Sequence, residues 1–129
     1  MRDFTVVPIK GHHVIKRGVS SHVIALVSQY LGLSRGALAD LMGLDRGTAT
    51  RLSSEGKNLP PHAADSLLRL LEIHDMAADV FDTPAGTATW LRTPHPLLEN
   101  ERPLDAAKTS YGAQAVKNVL MSAKYGGAV

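Results

Sequence analysis

Hydrophobic residues recur at helical spacing along most of the chain and predict a series of short helices. The first clear stripe follows Ser20-Ser21, which offer an N-cap, and consists of Val23, Ile24, Val27, Tyr30 and Leu31. Residues 1–19 lack such a stripe, since Pro8 and Gly18 interrupt a segment rich in β-branched residues. We therefore predict an irregular N-terminal arm or a short strand over residues 1–19.

Residues 34–54 predict two short helices that meet at a glycine. Ser34 caps the first helix, Gly43 breaks it, and Asp45 caps the second, which runs to about Ser53. Glycine adopts the conformation of such a turn at little cost. This order of cap, helix, glycine, cap and helix is the sequence form of a helix-turn-helix.

The second half of the chain predicts a separate helical subdomain. Gly56 and Pro60-Pro61 indicate a linker, which divides a helix-turn-helix subdomain over 20–59 from a helical subdomain over 60–129. A buried helix follows from the spacing of Ala64, Leu67, Leu68 and Leu71. Further helices are predicted from Pro84, from Pro103 as a short turn, and from about Ala113 to Lys124 with Gly126 as its stop. The predicted fold class is all-α.

The composition excludes several kinds of site and indicates where the protein acts. The 129 residues contain no cysteine, which excludes disulfides, thiolate metal sites and a cysteine nucleophile. No apolar run approaches the ~20 residues of a membrane span, and no signal peptide is recognisable, so we expect a cytoplasmic protein without a membrane partner. Residues 1–62 carry eight Lys or Arg against four Asp or Glu, while residues 63–129 carry six against eight. This asymmetry favours a polyanionic partner for the first half.

The second helix of the helix-turn-helix presents a polar face. At about 100° per residue, placing Ala49 and Leu52 inward turns the small and basic residues outward, with Arg46 on the flank. Such a face fits a major groove, where arginine contacts guanine edges or phosphates and hydroxyls contact bases or phosphates. The candidate DNA contacts are Arg35, Arg46, Gly47, Thr50, Arg51, Ser54 and Lys57. The alternative is a structural αα-hairpin whose arginines are merely solvated.

No pattern of an enzyme, a metal site or a cofactor site is found. The six histidines have no metal-ligand spacing. A Gly-x-Ser-x-Gly turn is absent, and Gly126-Gly127 follows the last predicted helix, too late for a phosphate loop. We expect a non-enzymatic protein without cofactors.

The order of short motifs after the helix-turn-helix resembles the Xre/MbcA/ParS antitoxins. These motifs are Leu67-Leu68-Arg69-Leu70, Val80-Phe81, Ala88-x-Trp90-Leu91, Pro103-Leu104-Asp105, Thr109-x-x-Gly112 and Tyr125-Gly126. The resemblance covers about residues 33–129. Asp82 and residues 98–101 depart from it, since family members often carry glycine-containing turns there.

The resemblance implies an antitoxin of a type II toxin–antitoxin system. Its partner would be a cognate RES-domain toxin that degrades NAD or transfers ADP-ribose, and its helix-turn-helix would bind operator DNA of its own operon. The implied toxin-blocking element is Lys124, Tyr125, Gly126, Gly127, Ala128 and Val129. A homodimer or a toxin–antitoxin hetero-oligomer is expected.

Three alternatives remain open at this point. In the first, the chain is a helix-turn-helix repressor without a toxin partner. In the second, its helix-turn-helix only scaffolds an assembly. For the tail, Tyr125 packs on Trp90 instead of entering a toxin. Trp90 itself is expected in the core, because it lies between Ala88 and Leu91 on a helix that must pack.

Overall fold

A computed structural model describes residues 8–126 as helices joined by short loops, with no strand in this range. The helices are α1 Pro8–Arg17, α2 Val23–Leu31, α3 Arg35–Leu41, α4 Arg46–Glu55, α5 Pro61–Phe81, α6 Pro84–Arg92, α7 Pro103–Ala106 and α8 Ser110–Lys124. A single 3-10 turn, Pro96–Leu98, precedes α7. The predicted all-α class is confirmed.

The predicted caps of the helix-turn-helix are present. Ser34 Oγ accepts a hydrogen bond from the Ala37 backbone N at 3.0 Å, and Asp45 Oδ2 accepts one from the Thr48 N at 3.1 Å. Each bond satisfies a donor that the first helical turn leaves unpaired. Gly43, between the two helices, has φ +71°, a conformation that glycine adopts without strain.

The N-terminal segment differs from its prediction. Residues 8–17 form helix α1 rather than an irregular arm or a strand. Pro8 is the first helical residue, where its fixed φ suits a helix and its missing N–H costs nothing. The β-branched Val14 and Ile15 carry only a small helical penalty, so they do not decide the conformation. Gly18, with φ +99°, ends the helix.

Helix α5 begins at the end of the predicted linker. Residues 57–60 are not helical, and Pro61 is the first residue of a continuous helix of 21 residues. The chain does form two compact units, but these divide between Leu68 and Arg69, within α5, rather than between residues 59 and 60.

Each unit has its own buried core. In the first unit Leu38 and Met42 are fully buried, and Ser21, also fully buried, donates from Oγ to the Leu52 carbonyl at 2.8 Å. That bond satisfies a hydroxyl that would be costly to bury unpaired. The core of the second unit is drawn from α5 to α8 and includes Leu70, Ile73, Leu91, Leu104, Val116 and Leu120.

Helix α8 begins earlier than predicted, at Ser110 rather than Ala113. Thr109 is its N-cap, and Thr109 Oγ1 accepts from the Gly112 N at 3.0 Å. Gly112 also lies directly against the end of α7: a Cβ at this position would overlap the carbonyl oxygen of Ala106. The Thr109-x-x-Gly112 motif therefore supplies both the N-cap of α8 and the glycine that lets α8 approach α7 closely.

One ion pair lies at the start of α7, and another involves a lysine of α8. The Arg102 guanidinium donates to Asp105 at 2.6 and 3.1 Å, and this hydrogen bond is the main cause that lowers the pKa of the Asp105 carboxyl below its usual value. Lys117 Nζ lies 2.6 Å from Glu72 Oε1 on α5. The first pair lies within the start of α7, whereas the second joins α8 to α5.

Candidate functional sites

Helix α4 presents the face that the sequence predicts. Ala49 and Leu52 are buried, whereas the predicted outward residues are exposed, namely Arg46, Gly47, Thr50, Arg51 and Ser54. The orientation follows from the helical period, because burying two residues three apart leaves the opposite side to solvent. The DNA-contacting role of these residues remains a prediction.

A groove beside α4 collects four of the candidate contacts. It has a volume of about 370 Å³ and is lined by Arg35, Arg46, Thr50 and Ser54, with Ile24 and Ala39 among the residues behind them. Gly47, Arg51 and Lys57 do not line it. The site is therefore a basic concave groove with further basic residues outside it.

Arg46 is held by a carboxylate across the helix-turn-helix. Its guanidinium donates to Asp40 at 2.7 and 3.4 Å, and this hydrogen bond, with the charge of Asp40, raises the pKa of Arg46. Gly36 makes room for it, since a Cβ there would lie 2.9 Å from the Arg46 guanidinium carbon. Both partners are largely exposed, so the pair contributes little to stability and can open for a phosphate.

Glu55 pairs with two further candidate cations at the end of α4. Arg51 lies 3.3 Å from one Glu55 oxygen, and Lys57 Nζ lies 3.9 Å from the other. The hydroxyls of Thr50 and Ser54 donate to the Arg46 and Arg51 carbonyls, each at 3.0 Å. These polar groups are thus engaged in bonds within the protein, which contacts with DNA would have to replace.

An uncharged face runs along α8 to the tail. Tyr111 is 92% exposed, Met121 44% and Tyr125 74%. Asn118 lies between them and accepts a hydrogen bond from Gln114 at 3.0 Å. Tyr111, Asn118 and Tyr125 are seven residues apart and so line one side of the helix. We call the side formed by these five residues the α8 face.

Lys124 points away from the α8 face and anchors the end of the helix. Its Nζ lies 3.2 Å from Asp79 Oδ2 on α5, one heptad after the Lys117–Glu72 pair. The two pairs hold α8 parallel to α5. Of the predicted blocking element, Lys124 is thus paired with α5, and Tyr125 and Gly126 are exposed. Gly127, Ala128 and Val129 lie outside the described residues.

The aromatic environment of Trp90 excludes one alternative. Its ring lies 5.5 Å from the Phe81 ring and 6.0 Å from the His95 ring, measured between centroids. Tyr125 is largely exposed, so the interpretation that Tyr125 packs on Trp90 is wrong. Trp90 is partly buried, and its Nε1 atom is buried without a hydrogen-bond partner.

Several residues of these sites escaped the sequence analysis. Tyr111, Asn118 and Met121 share a face with Tyr125, and their spacing would have revealed it. Glu55 lies four residues after Arg51 on α4, so helical spacing would also have revealed that pair. Asp40 meets Arg46 only because the turn brings two helices together, and no local pattern signals that pair.

Residues 8–126 contain neither a metal-binding group nor a membrane-spanning helix. There, His, Asp and Glu side chains form no group of three or more that could hold a metal ion. Of the helices in that range, none has the length and apolar character to cross a membrane.

Comparisons with known proteins match both units. The model of the antitoxin Xre-like helix-turn-helix domain matches residues 10–72, and that of the antitoxin Xre/MbcA/ParS C-terminal toxin-binding domain matches residues 76–126. The chain is also 25% identical over 113 residues to an Antitoxin Xre of Yersinia enterocolitica serotype O:8 / biotype 1B (strain NCTC 13174 / 8081), covering 87% of this chain and 76% of that protein. With both domain models matched in the family's order, the chain belongs to the Xre/MbcA/ParS family of antitoxins.

Proposed function

We propose that this antitoxin neutralises a RES-domain toxin that uses NAD. The α8 face binds the toxin, and Tyr125 to Val129 obstruct the cleft in which the toxin degrades NAD or transfers its ADP-ribose. The chain supplies no catalytic group and no cofactor to this reaction. It acts in the cytoplasm, as a homodimer or within a toxin–antitoxin hetero-oligomer.

The observation that carries the proposal is the α8 face. An exposed helical side with two tyrosines, a methionine and no charge is unusual on a free surface and typical of a protein interface. Tyrosine is enriched among residues that dominate binding energy. The face lies in the matched toxin-binding domain and continues into the tail, so docking and obstruction are adjacent.

Charges placed on the α8 face are expected to weaken the toxin complex. In the variant carrying Tyr111→Asp and Asn118→Asp, carboxylates would be buried in an apolar interface without partners. We expect Kd for the toxin from the neighbouring gene to rise by on the order of tenfold or more. The measurement is titration calorimetry of the purified pair.

The matched control is Tyr30→Asp, which changes a half-exposed tyrosine of the first unit. It should leave Kd unchanged. Equal affinity of wild type and double variant would reject the α8 face as the docking surface. Failure of the wild-type chain to bind a RES-domain toxin would reject the proposed partner, leaving a helix-turn-helix repressor as the better account.

We also propose that α4 binds operator DNA in the promoter of its own operon. Arg46 and Arg51 leave their carboxylates to contact bases or phosphates, Thr50 contacts a base or a thymine methyl, and Ser54 contacts a phosphate. Gly47 allows close approach of the helix backbone. Arg35 and Lys57 bind phosphates on either side. The groove that gathers Arg35, Arg46, Thr50 and Ser54 supports this arrangement.

The double variant Arg46→Ala, Arg51→Ala is expected to lose on the order of 1–3 kcal/mol per good base contact. The affinity of the variant should also depend less steeply on salt, because a complex with fewer phosphate contacts releases fewer counterions on binding. Mobility shift with the promoter at two salt concentrations measures both effects.

The control is Arg102→Ala, Lys108→Ala. It removes the same charge from residues that also pair with a carboxylate, Asp105, in the second unit. Promoter binding by this variant should match wild type. Equal loss in both variants would show an unspecific charge effect, and no promoter binding by wild type at low salt would leave the helix-turn-helix as a scaffold.

A further inference from the structure

Helix α1 presents a continuous basic face. None of its residues is buried, and its shielded side is the side of Gly11 and Ile15. At about 100° per residue, Lys10, His13 and Arg17 lie together on the opposite side, where all three are exposed. We call these three residues the α1 face. Lys16 is also exposed and adds a charge beside it.

In residues 8–126 no carboxylate pairs with the basic residues of α1. The sequence contains no Asp or Glu from Phe4 to Ala39. Arg46 and Arg51, in contrast, are held by carboxylates, whereas no carboxylate of residues 8–126 pairs with Lys10, Lys16 or Arg17.

The chain after α1 pairs with the segment after α4. The Leu59 N donates to the Val19 carbonyl at 2.7 Å, and the Ser21 N donates to the Lys57 carbonyl at 3.0 Å. Ser20 and Asn58 form an antiparallel bridge between these bonds.

A tight contact brings the two helix ends still closer. The Asn58 side chain fills the space in which Gly18 would carry a Cβ. Gly18 and Asn58 follow directly on Arg17 and Lys57, so the end of α1 lies beside the end of α4.

We infer that α1 is a second DNA-binding element, whose Lys10 and Arg17, with Lys16 beside them, contact phosphates flanking the sequence that α4 reads. The inference rests on the proposed DNA binding by α4. Phosphate contacts add affinity and fix the position of a protein on the duplex but carry no sequence information. The occupant of the α1 face is thus the backbone of the same DNA, as its charge and its place beside α4 require.

The test compares wild type with Lys10→Ala, Arg17→Ala and with the charge reversal Lys10→Glu, Arg17→Glu. Fluorescence anisotropy measures Kd for the promoter duplex and for a scrambled duplex between about 50 and 200 mM salt. Each lost phosphate contact should reduce the slope of log Kd against log salt by about 0.9, so the alanine pair should reduce it by about 1.8. The ratio of scrambled to promoter Kd should stay constant, and the charge reversal should weaken binding further.

The same charge control, Arg102→Ala, Lys108→Ala, should keep the wild-type slope. Thermal melting verifies folding, which exposed substitutions should preserve. If wild type binds the promoter and the α1 variants keep its slope, the inference is overturned while DNA binding by α4 stands. Weakened toxin binding with unchanged DNA binding would likewise overturn it in favour of a protein partner. Absence of wild-type binding at the lowest salt would overturn both proposals.

Discussion

Changing Gly112 to alanine is expected to destabilise the second unit by about 3 kcal/mol, the upper end of what overpacking costs. The added Cβ would overlap the carbonyl oxygen of Ala106 and lie 2.7 Å from its carbon. Both atoms belong to the backbone, so no side chain can rotate away, and α8 must move off α7. A fall in Tm on the order of 10 °C by calorimetry, with loss of toxin neutralisation, is the expected result.

Gly86 offers a closely matched control. Like Gly112 it is the third residue of a helix capped by threonine, and its N–H donates to Thr83 Oγ1 at 3.0 Å. A Cβ there would meet Thr83 Oγ1 at 2.9 Å and no backbone atom closer than 3.6 Å. Gly86→Ala should therefore stay within about 1 kcal/mol of wild type, since the helical preference for alanine offsets a small adjustment. Equal Tm values for the two variants would contradict the close approach of α7 and α8.

Deleting Tyr125 to Val129 is expected to release the toxin from inhibition without dissociating it. Tyr111, Asn118 and Met121 remain, so the α8 face should still bind, whereas the residues proposed to fill the NAD cleft are gone. The readout is NAD consumption by the purified toxin with saturating antitoxin, where activity should return to nearly that of the free toxin. Binding measured alongside should weaken far less than it does on charging the α8 face.

The comparison separates obstruction from docking. Lys124 stays in place in the deletion, with its bridge to Asp79, so the end of α8 is preserved. The variant Lys124→Ala in the full chain removes the bridge to Asp79 and shows whether inhibition of the toxin depends on that bridge. Complete inhibition by the shortened protein would assign the block to α8 itself and reject the role of the tail.

Features set by neighbouring residues were predictable. Ser34 and Asp45 cap their helices because the bonded N–H lies three residues away in the same chain segment. Gly43 marks a turn for an equally local reason, since its φ is positive and glycine adopts such a φ at little cost. The outward side of α4 followed from helical period alone. The order of motifs in residues 67–126 also sufficed for the family, which the two domain models confirm.

Local residue preferences did not predict the conformation of segments that suit two structures almost equally well. Residues 8–17 mix weak signals for strand and helix, and the structure resolves them as α1. Pro60-Pro61 is compatible with a linker or with a helix start, and only the packed structure shows that α5 continues through both units. For α5 the intrinsic preferences differ by less than tertiary packing contributes.

The sequence by itself determined the helices with strong caps, the outward face of α4 and membership in the antitoxin family. Only the tertiary structure decided which carboxylate holds Arg46, why residue 112 is glycine, where the two units divide, and how the segments after α1 and α4 pair. The first group depends on bonds and periods within a few residues. The second depends on segments that meet only after the chain has folded, as Ala106 meets Gly112 and Val19 meets Leu59.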